Sequence, residues 1–307
     1  MNRPLTAALA AFVLAGCATV PDRQSAADTT AEAPKRAFIE RSLVVAPESL
    51  GEFRLAGMDD FPDQPQAGVA LQFNHPDFPD VVISLFVYPV GRVDRETALE
   101  QGMEQFRREL AMLSAQGHYA DVAYGDETAF DLDAVAQDGQ AVVPDLPPEV
   151  PETDKPASSE ERFLALVAEI EPGMDTTLGR RLPLRFTRDG RPTDSATFMF
   201  YRGLHLYKGR VSAAAGALPA DSFERFANHA MTRIVPAVQV RNTGGCDQTS
   251  ITIDSQAGEE QQQEQLMRGI IESARRNEDE KCKPVLDKSV PAGHRAIELV
   301  YPASMWN

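Results

Sequence analysis

The sequence predicts an α+β fold: a largely antiparallel sheet with helices packed on both faces, followed by a small C-terminal β-α-β unit. Three observations predict it. Short apolar runs with two-residue alternation, bounded by Gly, Pro, Asn and Asp, recur along the chain as strands do. Several follow one another across short turn signals, as antiparallel neighbours do. Between groups of them stand apolar residues at three- and four-residue spacing, which gives a helix one buried stripe.

Taken in order, the first strands are Ser42–Ala46, Glu52–Ala56 and Val69–Phe73. Val81–Val90 is the strongest. Val81, Ile83, Leu85 and Val87 share one face and Val82, Phe86 and Tyr88 the other, which places it centrally with both faces covered. Pro89 and Gly91 end it. Asp94–Gln116 is a helix on the spacing of Leu99, Met103, Phe106, Leu110 and Leu113, capped by Asp94 and stopped by Gly117. Tyr119–Leu132 reads as one or two strands. The segment 135–155 holds Pro144, Pro147, Pro148 and Pro151 among acidic residues and reads as an exposed loop. Ser158 and Glu161 form a capping box for a helix that runs to Ile170.

Arg180–Thr187 and Ser195–Tyr201 pair across Asp189-Gly190, through a connection longer than two residues. Leu204–Ser212 pairs on through Arg202-Gly203. Asp221 and Glu224 make another capping box. The helix they open carries Phe223, Phe226, Ala230, Met231 and Ile234. After Gly244-Gly245 come a strand at Ser250–Asp254, a helix at Glu259–Asn277 and a strand at Arg295–Tyr301. Leu266, Met267, Ile270, Ile271 and Ala274 form one stripe of that last helix. A unit of this size is too small to stand alone. It is expected to pack on the main sheet, helped by Trp306.

The N-terminal residues carry an address. Met1-Asn2-Arg3 is a short positive start, Leu5–Leu14 is apolar but for Thr6, and Leu14-Ala15-Gly16-Cys17 closes the run. This order resembles the signal of bacterial lipoproteins, whose lipobox has this form. The resemblance implies cleavage before Cys17 and acylation of Cys17, so that the bilayer itself is the first partner. Several acyl chains give stable attachment. Ala18 in place of Asp after Cys17 implies transport to the outer membrane, with the folded part facing the periplasm. The organisation that follows is a signal peptide over 1–16, the lipidated Cys and a flexible tether over 17–36, an α+β sandwich over 37–240 and the C-terminal extension over 241–307. The Ala-, Thr- and Pro-rich tether has a reach on the order of 25 Å.

Formal net charge is −16, and removal of Arg3 with the signal brings the mature chain to −17 (−16 minus 1). That balance repels nucleic acid, which is excluded as a partner. Three cysteines are present. With Cys17 acylated, Cys246 and Cys282 remain, and in an oxidising compartment they pair most simply with each other.

No reaction motif stands out. Gly-x-Ser-x-Gly, His-Glu-x-x-His and phosphate-cradling Gly-rich patterns are missing. The histidines, His75, His118, His205, His229 and His294, lack metal-ligand spacing. Asn74-His75-Pro76-Asp77 is a loop that offers a His–Asp pair, but its residues are turn formers first. Asp126, Glu127, Asp131 and Asp133 are the densest acids, and Asp131-Leu132-Asp133 begins like a calcium loop. Val135 and Ala136 then stand where further ligands and a Gly are required. Arg180, Arg181, Arg185 and Arg188 form the clearest basic cluster, with Arg181 and Arg185 on one strand face, open to an anionic glycan or a partner's acidic patch or simply balancing the acidic surface. Gln261–Gln265, beside Glu259 and Glu260, is a polar helix start suited to the helix dipole.

Phe198-Met199-Phe200-Tyr201 and Leu206-Tyr207-Lys208-Gly209-Arg210-Val211, before a capped helix, resemble the PsbP-like α-β-α sandwich. That resemblance implies a non-enzymatic accessory or binding module and transfers no functional residues. The sequence therefore reads as a membrane-anchored, non-catalytic module that binds an envelope protein or glycan, with no cofactor or metal implied. The alternatives are a hydrolase of envelope polymers and a carrier of a small apolar ligand.

Overall fold

The computed structural model describes residues 36–133, 177–248 and 250–306. Cys17, the tether, the loop at 135–155 and the helix expected from Ser158 to Ile170 lie outside the described residues. The strands are β1 (Arg41–Pro47), β2 (Ser49–Leu50), β3 (Phe53–Asp60), β4 (Val69–Asn74), β5 (Val82–Pro89), β6 (Ala120–Tyr124), β7 (Thr128–Asp131), β8 (Leu178–Arg188), β9 (Arg191–Arg202), β10 (His205–Ala214), β11 (Gln239–Thr243) and β12 (His294–Val300). The helices among the described residues are α1 (Arg95–Ala115), α2 (Ala220–Ala237) and α3 (Glu259–Asp279).

The fold is α+β. A nine-stranded antiparallel sheet runs β2-β3-β4-β5-β10-β9-β8-β6, with β7 also on β8. Its middle is built by two hairpins in series. Asp189 (φ 51°) and Gly190 (φ 74°) are both left-handed, the conformation of a two-residue turn whose twist matches the strands it joins. β8 and β9 therefore pair right up to Arg188–Arg191, and the connection is shorter than expected. Gly203 (φ 55°) and Leu204 (φ 67°) make the same kind of turn between β9 and β10. β5 lies between β4 and β10, as its apolar faces predict, although its outer end is open: Val82 is 61% exposed.

Helices cover both faces. On one, Leu99, Met103, Phe106 and Leu110 of α1 pack on Leu182, Leu184, Phe186, Met199 and Leu206. Asp94 caps α1 by accepting the Thr97 N–H at 3.0 Å. On the other, Phe226, Ala230, Met231 and Ile234 of α2 pack on Phe198, Phe200, Tyr207 and Val211. The capping box expected for α2 does not form. The N-cap is Pro219, which has no side-chain acceptor, so Asp221 and Glu224 fall inside the helix.

The C-terminal strand–helix–strand unit is present with a different first strand. Ser250–Asp254 pairs with no strand among the described residues and instead lies along α3, where Ile251 meets Gly269 and Gln265 Oε1 accepts the Asp254 N–H. The strand is β11. β11 and β12 both run antiparallel to β1, one on each side of it, so they are parallel to each other with an early strand inserted between them. β1 is buried along Ser42–Pro47. Trp306 closes the joint by donating its indole N–H to Ile39 O at 2.9 Å and packing edge-on against Phe38 and Tyr301. The apolar stripe of α3 is not covered by the main sheet. Leu266 is 42% and Ile270 52% exposed, and Ser273 is its one buried residue.

Cys246 and Cys282 form a disulfide with Cα atoms 6.1 Å apart. It ties the turn after β11 to the segment after α3. Around it, Arg92 clasps the buried carboxylate of Glu280 through Nε and Nη2 (2.5 and 2.7 Å) and also donates to Cys246 O. The Asn242 amide donates to Gly203 O and Glu280 O and accepts from Ser42 Oγ.

Candidate binding cleft between the start of α2 and strands β8 and β9

The basic cluster separates into individual ion pairs. Alternation along β8 sends Arg180 to the α1 side, where it bonds Glu96 and Glu127, while Arg181 and Arg185 project from the opposite face. Arg181 Nη1 pairs with Glu224 on α2 at 2.8 Å, and Arg185 Nε with Asp194 on β9 at 2.7 Å. Arg188 pairs with its neighbour Asp189, at 3.6 Å. Arg181 and Arg185 do share one strand face, and that face is the wall of a cleft of about 440 Å³. The other walls are the edge at Ala123, Tyr124 and Gly125 and, from the first turns of α2, Ala220, Phe223 and Glu224. Phe223 is buried. Tyr124 stands opposite Leu184 in the ladder, and Leu184 packs with α1, so the Tyr124 side chain lies on the α1 face, and Ala123 is the β6 residue opposite Arg185. Arg181 Nε is enclosed with no hydrogen-bond partner, a cost of a kind that native structures carry rarely.

The sequence does not mark the two carboxylates of this cleft as binding groups. Asp194 was legible in principle. Had Asp189-Gly190 been counted as a two-residue turn, the ladder would have set Arg185 opposite Asp194, as it does. Glu224 has the sequence position of a capping residue, and only the packing of α2 across the sheet brings it to Arg181.

The remaining candidates serve the fold. His75 is buried against Phe53, Phe78 and Phe226, and its Nδ1 accepts the backbone N–H of Asp77, which makes it turn chemistry. His205 is fully buried. Its Nδ1–H donates to Gly203 O at 2.8 Å, and desolvation pushes its pKa down to about 4. His229 bonds Glu52 at 2.6 Å at the surface, His118 is exposed, and His294 bonds Ala292 O at the start of β12. In the acidic cluster, burial alone would raise the Glu127 carboxyl. Hydrogen bonds from Arg180 and Arg107 outweigh it and hold the group below the usual carboxylate range. Asp131 accepts the Asp133 N–H in a local turn. Among the described residues no three His, Cys, Asp or Glu side chains converge as a metal ion would need.

A second concavity of about 410 Å³ lies beside β11 and the end of α3, with Arg202, Arg241, Lys281 and Lys283 facing Glu278, Asp279 and Asp287. Arg202 donates to Val235 O, and Arg241 donates to Asp287 O and Ser289 O and pairs with the Asp287 carboxylate at 3.3 Å. The aromatic residue of this concavity, Tyr207, is buried.

Fold and site together define a class: an α+β protein with a twice-covered antiparallel sheet and a surface cleft of paired charges. No protein-family model matches the chain, and no curated protein matches it.

Proposed function

We propose that the chain is a lipid-anchored, non-catalytic binding module of the bacterial cell envelope. It is attached through acylated Cys17 to the outer membrane, faces the periplasm and uses the cleft at Arg181 and Arg185 to engage an envelope glycan or protein. The anchor rests on Leu14-Ala15-Gly16-Cys17, and the Cys246–Cys282 disulfide agrees with an oxidising compartment. The observation that carries the binding reading is the composition of the cleft. Four charged side chains are pre-oriented as two ion pairs in one cleft, an arrangement that recognises polar groups and costs little ordering on binding.

One observation favours a second reading, an envelope-polymer hydrolase, because the cleft contains two carboxylates, Asp194 and Glu224. Each is bonded to a guanidinium rather than standing free to exchange a proton, which supports binding over catalysis. A carrier of an apolar ligand would need an enclosed apolar space. The region between the sheet and α2 is filled by Phe198, Phe200, Met231 and Ile234.

The anchor is tested by growing producing cells with radiolabelled fatty acid. The unaltered chain is expected to take up label and fractionate with the outer membrane, and Cys17→Ser to lose both. An unlabelled wild-type chain in the cytosol would overturn the proposal.

A further inference from the structure

We infer that the concavity beside β11 takes a short extended peptide, held by its backbone at Val240, at a site separate from the cleft at Arg181 and Arg185. β11 pairs with β1 on one side only. Its other edge, from Val238 to Asn242, runs through the concavity. Strand backbone groups alternate in direction with a period of two, so Val238, Val240 and Asn242 all aim their N–H and C=O at that edge. The two outer positions are filled. Asn242 donates to Lys281 O at 2.7 Å and accepts the Lys283 N–H at 3.0 Å, which makes a parallel bridge to Cys282. Val238 donates to Ile234 O, and its carbonyl accepts the Tyr207 hydroxyl. The N–H and C=O of Val240 meet no partner among the described residues, although Val240 is only 3% exposed. More than nine in ten buried backbone groups are paired. A donor and an acceptor left open together, on the floor of a cavity, call for an occupant that supplies both.

The geometry of the two groups sets the class of that occupant. An N–H and a C=O side by side on one strand residue are the complement of the same pair on another extended residue, which is how peptides add to open sheet edges. An anion answers only the donor and a cation only the acceptor. With the neighbouring edge positions taken, the peptide bridges through one residue, as Cys282 does at Asn242, and its flanks turn into the cavity. A volume of about 410 Å³ is that of a small-ligand site and suits a short segment. The charges on the walls select no sign. Arg241 pairs with Asp287 at 3.3 Å and Lys281 with Glu278 at 3.6 Å. Recognition therefore runs through the main chain.

The test applies a library of synthetic tetrapeptides, N-acetylated and C-amidated, to the purified full-length chain. At least one peptide is expected to be retained. Methylating its backbone nitrogens one at a time is expected to weaken retention at least about tenfold at one position, where the methyl group removes the donor that meets Val240 O. Hydrogen exchange followed residue by residue is expected to show the Val240 amide slowed at least about tenfold when a retained peptide saturates the chain. This readout needs no substitution, so loss of fold does not enter it. No retained peptide, retention indifferent to N-methylation at every position, or unchanged exchange at Val240 under saturation would each overturn the inference. Protection confined to β8 and β9 would overturn it too, by placing the peptide in the cleft at Arg181 and Arg185.

Discussion

His205 shows how one buried side chain sets a pH limit on the molecule. It sits beneath the turn between β9 and β10 with its Nδ1–H on Gly203 O and no access to water. Its folded pKa, about 4, lies below the ordinary value of 6.5. Between those two values the unfolded chain binds the proton and the folded one does not, so stability falls as pH drops from 6.5 towards 4 and levels off below. The full penalty is of order 3 kcal/mol. Denaturant titrations at a series of pH values should show this loss. A His205→Gln protein, whose amide does not titrate, should lack that part of the slope even though it is less stable throughout. An identical slope in the variant would assign the pH dependence to other groups.

At the scale of elements, α2 and α3 make opposite use of similar patterns. Both present apolar residues at helical spacing, but α2 spends its stripe on the sheet whereas α3 leaves Leu266 and Ile270 in solvent. Ile234→Ala in α2 should therefore cost about 3 kcal/mol. Ile270→Ala should change stability by less than about 0.5 kcal/mol. Chemical denaturation of the two variants side by side checks the contrast, and equal losses would contradict the burial described for α3. The same pair of helices marks how far the sequence could be read. Periodicity locates a helix and its apolar side, and it did so for α1, α2 and α3. It carries no information on what the side meets, which is decided by residues far away in the chain. Asp189-Gly190 is the reverse case, a local signal strong enough to set the β8–β9 register and, through it, the Arg185–Asp194 half of the cleft. The Arg181–Glu224 half depends on how α2 crosses the sheet, and no local pattern encodes that.

On the scale of the whole molecule, the joint formed by β11, β1 and β12 is fastened by three devices of different chemistry: the ladder on both edges of β1, the Arg92–Glu280 clasp and the Cys246–Cys282 bond. The disulfide spans a sequence separation of 36, for which loop-closure entropy gives about 4 kcal/mol of stabilisation. Cys282→Ser should lower stability by roughly that amount. It should leave the circular dichroism of the nine-stranded sheet unchanged at low temperature, because none of its strands is tied by that bond. Loss of sheet signal under those conditions would mean that the joint and the main sheet do not hold independently of the bridge.

The insertion of β1 between β11 and β12 also dictates when this protein can finish folding. A ribosome delivers Arg41 long before it delivers His294, yet the two outer neighbours of the first strand come from the final third of the chain. Until those residues arrive, one of the most deeply enclosed segments has an unfilled ladder on either side. The joint therefore closes only once β12 has been made, whereas the strands of the nine-stranded sheet are all in place by Ala214.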